Sequence, residues 1–271
     1  DEDRIVIRRG LSIHGPGSNL ISIEGSLLVA SPGNLAISNL TFFNSETPVE
    51  NLGANLTIDN VVFRNNAPTF VSGDQTISNF DGTISIVKAT SRIDHSSFIQ
   101  NYPAIDNSGA LEVANSAFYN NGDAGIIRNQ SVLNILNSSF QDNDGAISAS
   151  KGLVTITNST FKNNTTDTEN TFRSIIPNGI KLINTIVDST AIIDQENNPA
   201  TGANCYASSD FGKTIINGII DGGNNIQFPG QSCGSGIPSL DPKLGTLSDN
   251  GGLTQTIPLL GCRQKLSGNL S

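Results

Sequence analysis

A nine-residue unit that returns about every 21 residues constrains this chain more than any other feature. Aligned on a Phe, it reads Ile58-Asp-Asn60-Val-Val-Phe63-Arg-Asn-Asn66, Ile93-Asp-His95-Ser-Ser-Phe98-Ile-Gln-Asn101 and Val113-Ala-Asn115-Ser-Ala-Phe118-Tyr-Asn-Asn121. It continues as Ile135-Leu-Asn137-Ser-Ser-Phe140-Gln-Asp-Asn143 and Ile156-Thr-Asn158-Ser-Thr-Phe161-Lys-Asn-Asn164, and an earlier copy, Ile37-Ser-Asn39-Leu-Thr-Phe42-Phe-Asn44, ends one residue early. The Phe-to-Phe steps are 21, 35, 20, 22 and 21 residues. The long step is read as a weaker copy around Ile77-Ser-Asn79 plus an insertion, and Ile183-Asn184 and Ile216-Asn217 as further degenerate copies.

No helical spacing of apolar residues accompanies this period, whereas Leu153-Val-Thr155-Ile-Thr157 alternates with the two-residue period of a strand. Each period supplies three short strands: one with the apolar-x-Asn element, one with the Phe, and one after Gly in Gly125-Ile-Ile127 and Gly145-Ala-Ile147. Three strands cannot enclose a core alone, but stacked copies bury each Phe and Ile against its counterpart in the next coil. The expected architecture is therefore all-β, a parallel β-helix with coils of about 21 residues.

Coils spaced about 4.8 Å apart place like side chains above one another. Asn39, Asn60, Asn79, Asn115, Asn137 and Asn158, with Asn184 and Asn217 as extensions, are expected to form an inward-facing amide ladder, since a buried amide without partners costs a few kcal/mol. His95 falls in the same row and reads as a ladder substitute rather than a catalyst. Phe63, Phe98, Phe118, Phe140 and Phe161 are the expected aromatic core rather than a cofactor box. The abundant Asn-x-Ser/Thr sequences, as at Asn137, Asn158, Asn163 and Asn164, are mostly products of the repeat and poor grounds for glycosylation.

The organisation divides into atypical capping coils at 1–36, β-helix repeats at 37–238 with polar insertions near 165–171 and 188–202, and an extended tail at 239–271. At 271 residues a globular chain would make one or two domains, a bound that elongated repeat folds escape. Charged residues at 14% are too few for a coiled coil or a charge-driven disordered tail, while 33 Asn and 27 Gly supply turns. With 24 acidic against 15 basic groups the surface repels a phosphate backbone, so nucleic acid is not an expected partner. No apolar stretch is long enough to span a bilayer, and the absence of Met suggests a mature product or fragment. Cys205, Cys233 and Cys262 lack zinc-site spacing; one Cys205–Cys233 bridge would leave Cys262 over.

The Phe-x-x-Asn repeats with Gly-Ala-Ile strands resemble those of bacterial surface β-helices, including the polymorphic outer membrane proteins. The segment Asp241-Pro-Lys-Leu-Gly245 with Asp249-Asn-Gly-Gly-Leu-Thr-Gln-Thr256 is similar to the end of the β-helix domain in choice-of-anchor proteins, which have the pectin-lyase-like fold. Together these motifs cover most of residues 37–256; after Leu260 the chain departs from the family pattern with Gly261-Cys-Arg-Gln-Lys-Leu. The resemblance implies a single-stranded right-handed parallel β-helix in a secreted or cell-surface bacterial protein. It also implies a disulfide, because Asn204-Cys205 and Ser232-Cys233 match the family's Cys pair before the tail.

An activity does not follow from such a fold, which hosts lyases, hydrolases, adhesins and spacers alike. No Asp-Asp pair suggests a hydrolase, and His14-Gly15 and Arg263-Gln-Lys265 lie at opposite chain ends. Asp123, Asp142 and Asp144, on turns expected to coincide in successive coils, are the candidate Ca²⁺ ligands, with Arg128 nearby in sequence; solvated Asn/Asp turns are the simpler reading. No other cofactor is expected. The chain reads as a non-catalytic structural or adhesive surface module with carbohydrate, a surface protein or sister molecules as partners; a polysaccharide lyase or glycoside hydrolase is the alternative.

Overall fold

The computed structural model describes residues 4–29, 33–66, 83–122, 125–164, 171–174, 178–189, 204–209, 214–215 and 218–260. Those residues form a parallel β-solenoid in which every coil contributes a rung to each of three sheets, and no helix occurs among them. The first sheet runs from Arg4–Ile7 through Ile127–Asn129 to Cys205–Ser209, with Val49, Ile84, Ile105, Ile127, Ile147 and Phe172 in register on successive rungs. The second stacks Leu35, Leu56, Ser91, Leu111, Leu133, Val154, Ile180 and Ile219. The third stacks Phe42, Phe63, Phe98, Phe118, Phe140, Phe161, Val187 and Gln227.

Alternation along each strand sends every second side chain inward, and the three inward sets meet in one continuous core. The Phe column is its axis. Ring centroids from Phe42 to Phe161 are 5.3, 4.9, 4.6, 4.4 and 4.5 Å apart with planes within 12° of parallel. Phe172, arriving from the first sheet, meets Phe161 edge-on at 74°. Each buried ring contributes about 2–3 kcal/mol by burial, and stacking adds about 0.5–1.5 kcal/mol.

Two parts of the repeat reading are corrected by the register. Phe63 pairs directly with Phe98 and Ile58 with Ile93, so the 35-residue step is one coil with a long connection, not two coils. Asn79 lies outside the described residues, and no rung exists for it between Asn60 and His95. Likewise Ile219–Asp221, rather than Ile216-Asn217, supplies the rung below Ile180–Leu182, with Asn224 at the following corner; Asn217 is outside the described residues. Hydrogen-bonded registry between whole strands overrides a two-residue likeness.

The two ends of the stack differ. At the C-terminal end Gln227, in the Phe column, donates Nε2–H to the carbonyls of Gly234 at 2.7 Å and Ile237 at 2.8 Å and accepts from the Cys233 amide at 2.9 Å. The Cys205–Cys233 disulfide, with Cα atoms 4.9 Å apart, ties this closing loop to the first sheet. At the N-terminal end, Ile5 and Leu11 occupy core positions but are 61% and 43% exposed, whereas Leu27 and Leu35 directly below them are 3% and 1% exposed.

Candidate functional site

The repeat contains two Asn positions, and the structure assigns them opposite roles. Asn39, Asn60, Asn115, Asn137, Asn158 and Asn184 sit at the corner between the second and third sheets with φ of 48–57°, a left-handed conformation that Asn tolerates better than other side-chain-bearing residues. Their amides are linked along the stack: Asn60 donates to Asn39 at 2.6 Å, Asn137 to Asn115 at 3.3 Å, Asn158 to Asn137 at 3.2 Å and Asn184 to Asn158 at 2.7 Å. This row is half-buried to exposed, however, and does not face inward as expected; a left-handed corner turns its side chain out of the core. Asn137 and Asn158, with their Asn-x-Ser/Thr sequences, are accordingly at the surface.

The second Asn of the unit forms the interior ladder. Asn66, Asn101, Asn121, Asn143 and Asn164 are at most 2% exposed. Each Nδ2 group from Asn66 to Asn143 donates to the Oδ1 of the next, at 2.9, 3.0, 2.8 and 2.7 Å. The second amide hydrogen goes to the Phe carbonyl one coil back, as in Asn121 to Phe98 O at 3.0 Å. The same Oδ1 accepts the preceding Asn backbone N–H, as in Asn101 N to Asn121 Oδ1 at 2.9 Å. Beside it, Ser96, Ser116, Ser138 and Ser159 each donate to a carbonyl two residues back and accept a backbone N–H from the coil before. The spacing Asn-Ser-Ser/Thr-Phe-x-x-Asn carried this signal in sequence, but two Asn of one repeat unit cannot be sorted into inside and outside without the corner geometry.

The exposed corner row is interrupted by charge. His95 takes the corner with φ 43°, its Nδ1 3.1 Å from Asp59 and 3.3 Å from Asp94, while Asn115 donates to Asp94 at 2.8 Å. Arg92 pairs with Asp94 at 2.6 Å and also with Glu112. Burial alone would raise the Asp94 carboxyl, but hydrogen bonds from Asn115 and Arg92, aided by the nearby positive charges, hold it below its ordinary value of 3.8. His14 heads the row and bonds Ser38 Oγ at 2.8 Å.

The candidate Ca²⁺ ligands are placed as follows. Asp123 lies outside the described residues. Asp142 occupies a second left-handed corner, φ 54°, where its carboxylate accepts from Gln141 at 2.7 Å and Asn163 at 3.3 Å. Asp144 is half-buried on the same turn, and no group of three acidic, His or Cys side chains able to hold a metal occurs among the described residues. Arg128 projects outward from the first sheet, in register with Asp106 and Ser148 on neighbouring rungs.

The C-terminal tail, read from sequence as extended but without a stated face, lies on the outer face of the third sheet. Residues 243–260 form a hairpin, with Ser248 and Thr256 exchanging backbone hydrogen bonds, that runs back along this face. Lys162 Nζ donates to Gly245 O at 2.7 Å, Gln141 Oε1 accepts from Leu247 N at 2.6 Å, and Thr254 donates to Asn115 O at 2.7 Å. Between hairpin and sheet opens a cleft of about 470 Å³ lined by Lys162, Asn163, Asp188, Phe228, Asp241, Lys243, Leu244 and Leu260. Of the expected insertions, Thr171 and Asp188–Ser189 are buried parts of the coils, and 165–170 and 190–203 lie outside the described residues.

No family model matches this chain, and no curated protein does. Among solved structures, the plasmid-mediated fluoroquinolone resistance protein QnrB1, in a trypsin-treated form, is similar over 73% of this chain and 91% of its own at 11% identity. The TM-score is 0.26, a likeness too slight to carry a functional argument.

Proposed function

We propose that this chain is a non-catalytic structural or adhesive module of a secreted or surface-exposed bacterial protein, of the pectin-lyase-like β-helix type implied by its Phe-x-x-Asn repeats and closing Asp-Pro-Lys-Leu-Gly motif. The supporting observation is where its polar side chains go. Buried Asn and Ser rows join coil to coil without a break from Ser96 to Ser159 and from Asn66 to Asn164. Amides and hydroxyls spent in that way stiffen a rod, and a rod presents its outer faces at fixed spacing to carbohydrate, a surface protein or sister molecules. The disulfide accords with an oxidising compartment.

The test is incubation with a panel of acidic and neutral polysaccharides, with and without Ca²⁺. Retention of the intact protein on one or more of them, with no unsaturated products and no new reducing ends, is the expected result. Metal-dependent product formation would replace this reading with the lyase or hydrolase alternative.

A further inference from the structure

We infer that the open N-terminal end of the solenoid is an interface for a second copy of this chain, the two stacks meeting end to end about a twofold axis. The assignment deepens the surface-module reading, in which sister molecules are one of the partners. Ile5, Leu11, Ile13 and Ile23 lie in register over the core residues Leu27, Leu35, Ile37 and Phe42, none of which is more than 3% exposed. With the exposed Leu20 on the corner beside them, they present to water the apolar pattern that every interior coil buries. The strands that carry them, Arg4–Ile7, Leu11–His14 and Ser22–Ile23, have a hydrogen-bonded neighbour on one side only among the described residues. An occupant must therefore bring strand edges as well as apolar side chains, and another coil brings both.

The copy that fits is inverted. At the C-terminal end the Gln227 N–H donates to Pro238 O and its C=O accepts from Leu240 N, while Cys233 and Ile237 of the closing loop belong to the core. Head-to-tail stacking, which would build an open filament, is blocked there, whereas head-to-head contact closes as a dimer. Three twofold axes set the end strands antiparallel, each passing through the middle of one sheet and the corner opposite. Charge chooses among them. Arg8 and Arg9 are exposed at the corner after the first sheet, and Glu24 is exposed at the corner after the third. The axis through the first sheet brings Arg8 and Arg9 onto Glu24 of the other copy and lays Arg4–Ile7 against itself. The remaining corner, 15–20, contains no charged residue and faces its own copy. An axis through the third sheet would set the Arg pair against itself, and one through the second sheet would do the same to Glu24.

Sedimentation equilibrium of the full chain from about 1 to about 200 μM, at low and moderate salt, tests this. A species of twice the 28.4 kDa chain mass is expected to grow with concentration and to weaken as salt rises. Amide exchange in 4–7 and 11–14, fast in the dilute monomer, should slow over the same range. Ile5→Lys, at a site 61% exposed in the monomer, should raise the dissociation constant at least about tenfold while exchange in 125–162 is unchanged. Arg8→Glu with Arg9→Glu should do likewise, and adding Glu24→Arg should restore the dimer. A monomer throughout, species growing beyond two copies, a dimer indifferent to Ile5→Lys, or no rescue by Glu24→Arg would each overturn the contact. A dimer that cleaves polysaccharide would leave the contact standing and remove the module reading; a monomer that adheres without cleaving would do the reverse.

Discussion

The two Asn rows differ in what their removal costs. Asn121 fills two donor and two acceptor roles at 2% exposure, so Asn121→Ala leaves the Phe98 carbonyl, the Asn101 amide groups and Asn143 Oδ1 short of partners. A loss of about 2–5 kcal/mol is expected in denaturant unfolding. Asn137 at the exposed corner is held mainly for its backbone: Asn137→Ala should cost about 1 kcal/mol and Asn137→Gly only a few tenths. Equal costs at the two sites would contradict the inside–outside assignment. Asp94 gives a pH dependence of definite sign. Its folded carboxyl titrates below the ordinary value of 3.8, so the stabilisation is complete above that value and is lost as pH falls through the lower folded value. Melting curves of Asp94→Asn and the parent should therefore stay apart above the ordinary carboxyl value and converge as pH is lowered below about 4.

Among elements, the Phe column and the closing hairpin behave differently. Phe118 is sandwiched between rings at 4.6 and 4.4 Å, and Phe118→Ala is expected to cost about 3–5 kcal/mol because neighbouring coils, pinned by ladders on both sides, cannot collapse into the space. The hairpin is held at a few points, chiefly Lys162, Gln141 and Asn115. Lys162→Met should raise amide exchange and proteolysis across 243–260 while leaving the coils protected; unaltered exchange there would show the strap is held by other contacts. The hairpin's place was not legible beforehand, because sequence marks its turn at Asp249-Asn-Gly-Gly and says nothing of the face it crosses. The strands were legible, since their alternation and turn residues are local.

At the scale of the molecule, stability should grade along the axis. Gln227 and the Cys205–Cys233 disulfide close one end, while the other leaves Ile5 and Leu11 open to water. Hydrogen exchange is expected to be slowest in 105–122 and 125–162, faster in 204–209 and 218–228 and fastest in 4–23, and reduction of the disulfide should speed exchange in the C-terminal coils first. A uniform rate along the stack would mean that the coils unfold as one unit. What the sequence determined by itself was the coil: its period, its three strands and its stacked Phe follow from side-chain alternation and from a repeat too short to bury its own apolar surface. Only the tertiary structure decided which Asn lies inside, that Phe63 stacks on Phe98 without a coil between, and that the tail encloses a cleft. Each of these depends on which strands share hydrogen bonds and on the φ of a corner residue, and contacts spanning 35 to 139 residues leave no periodic trace in the chain.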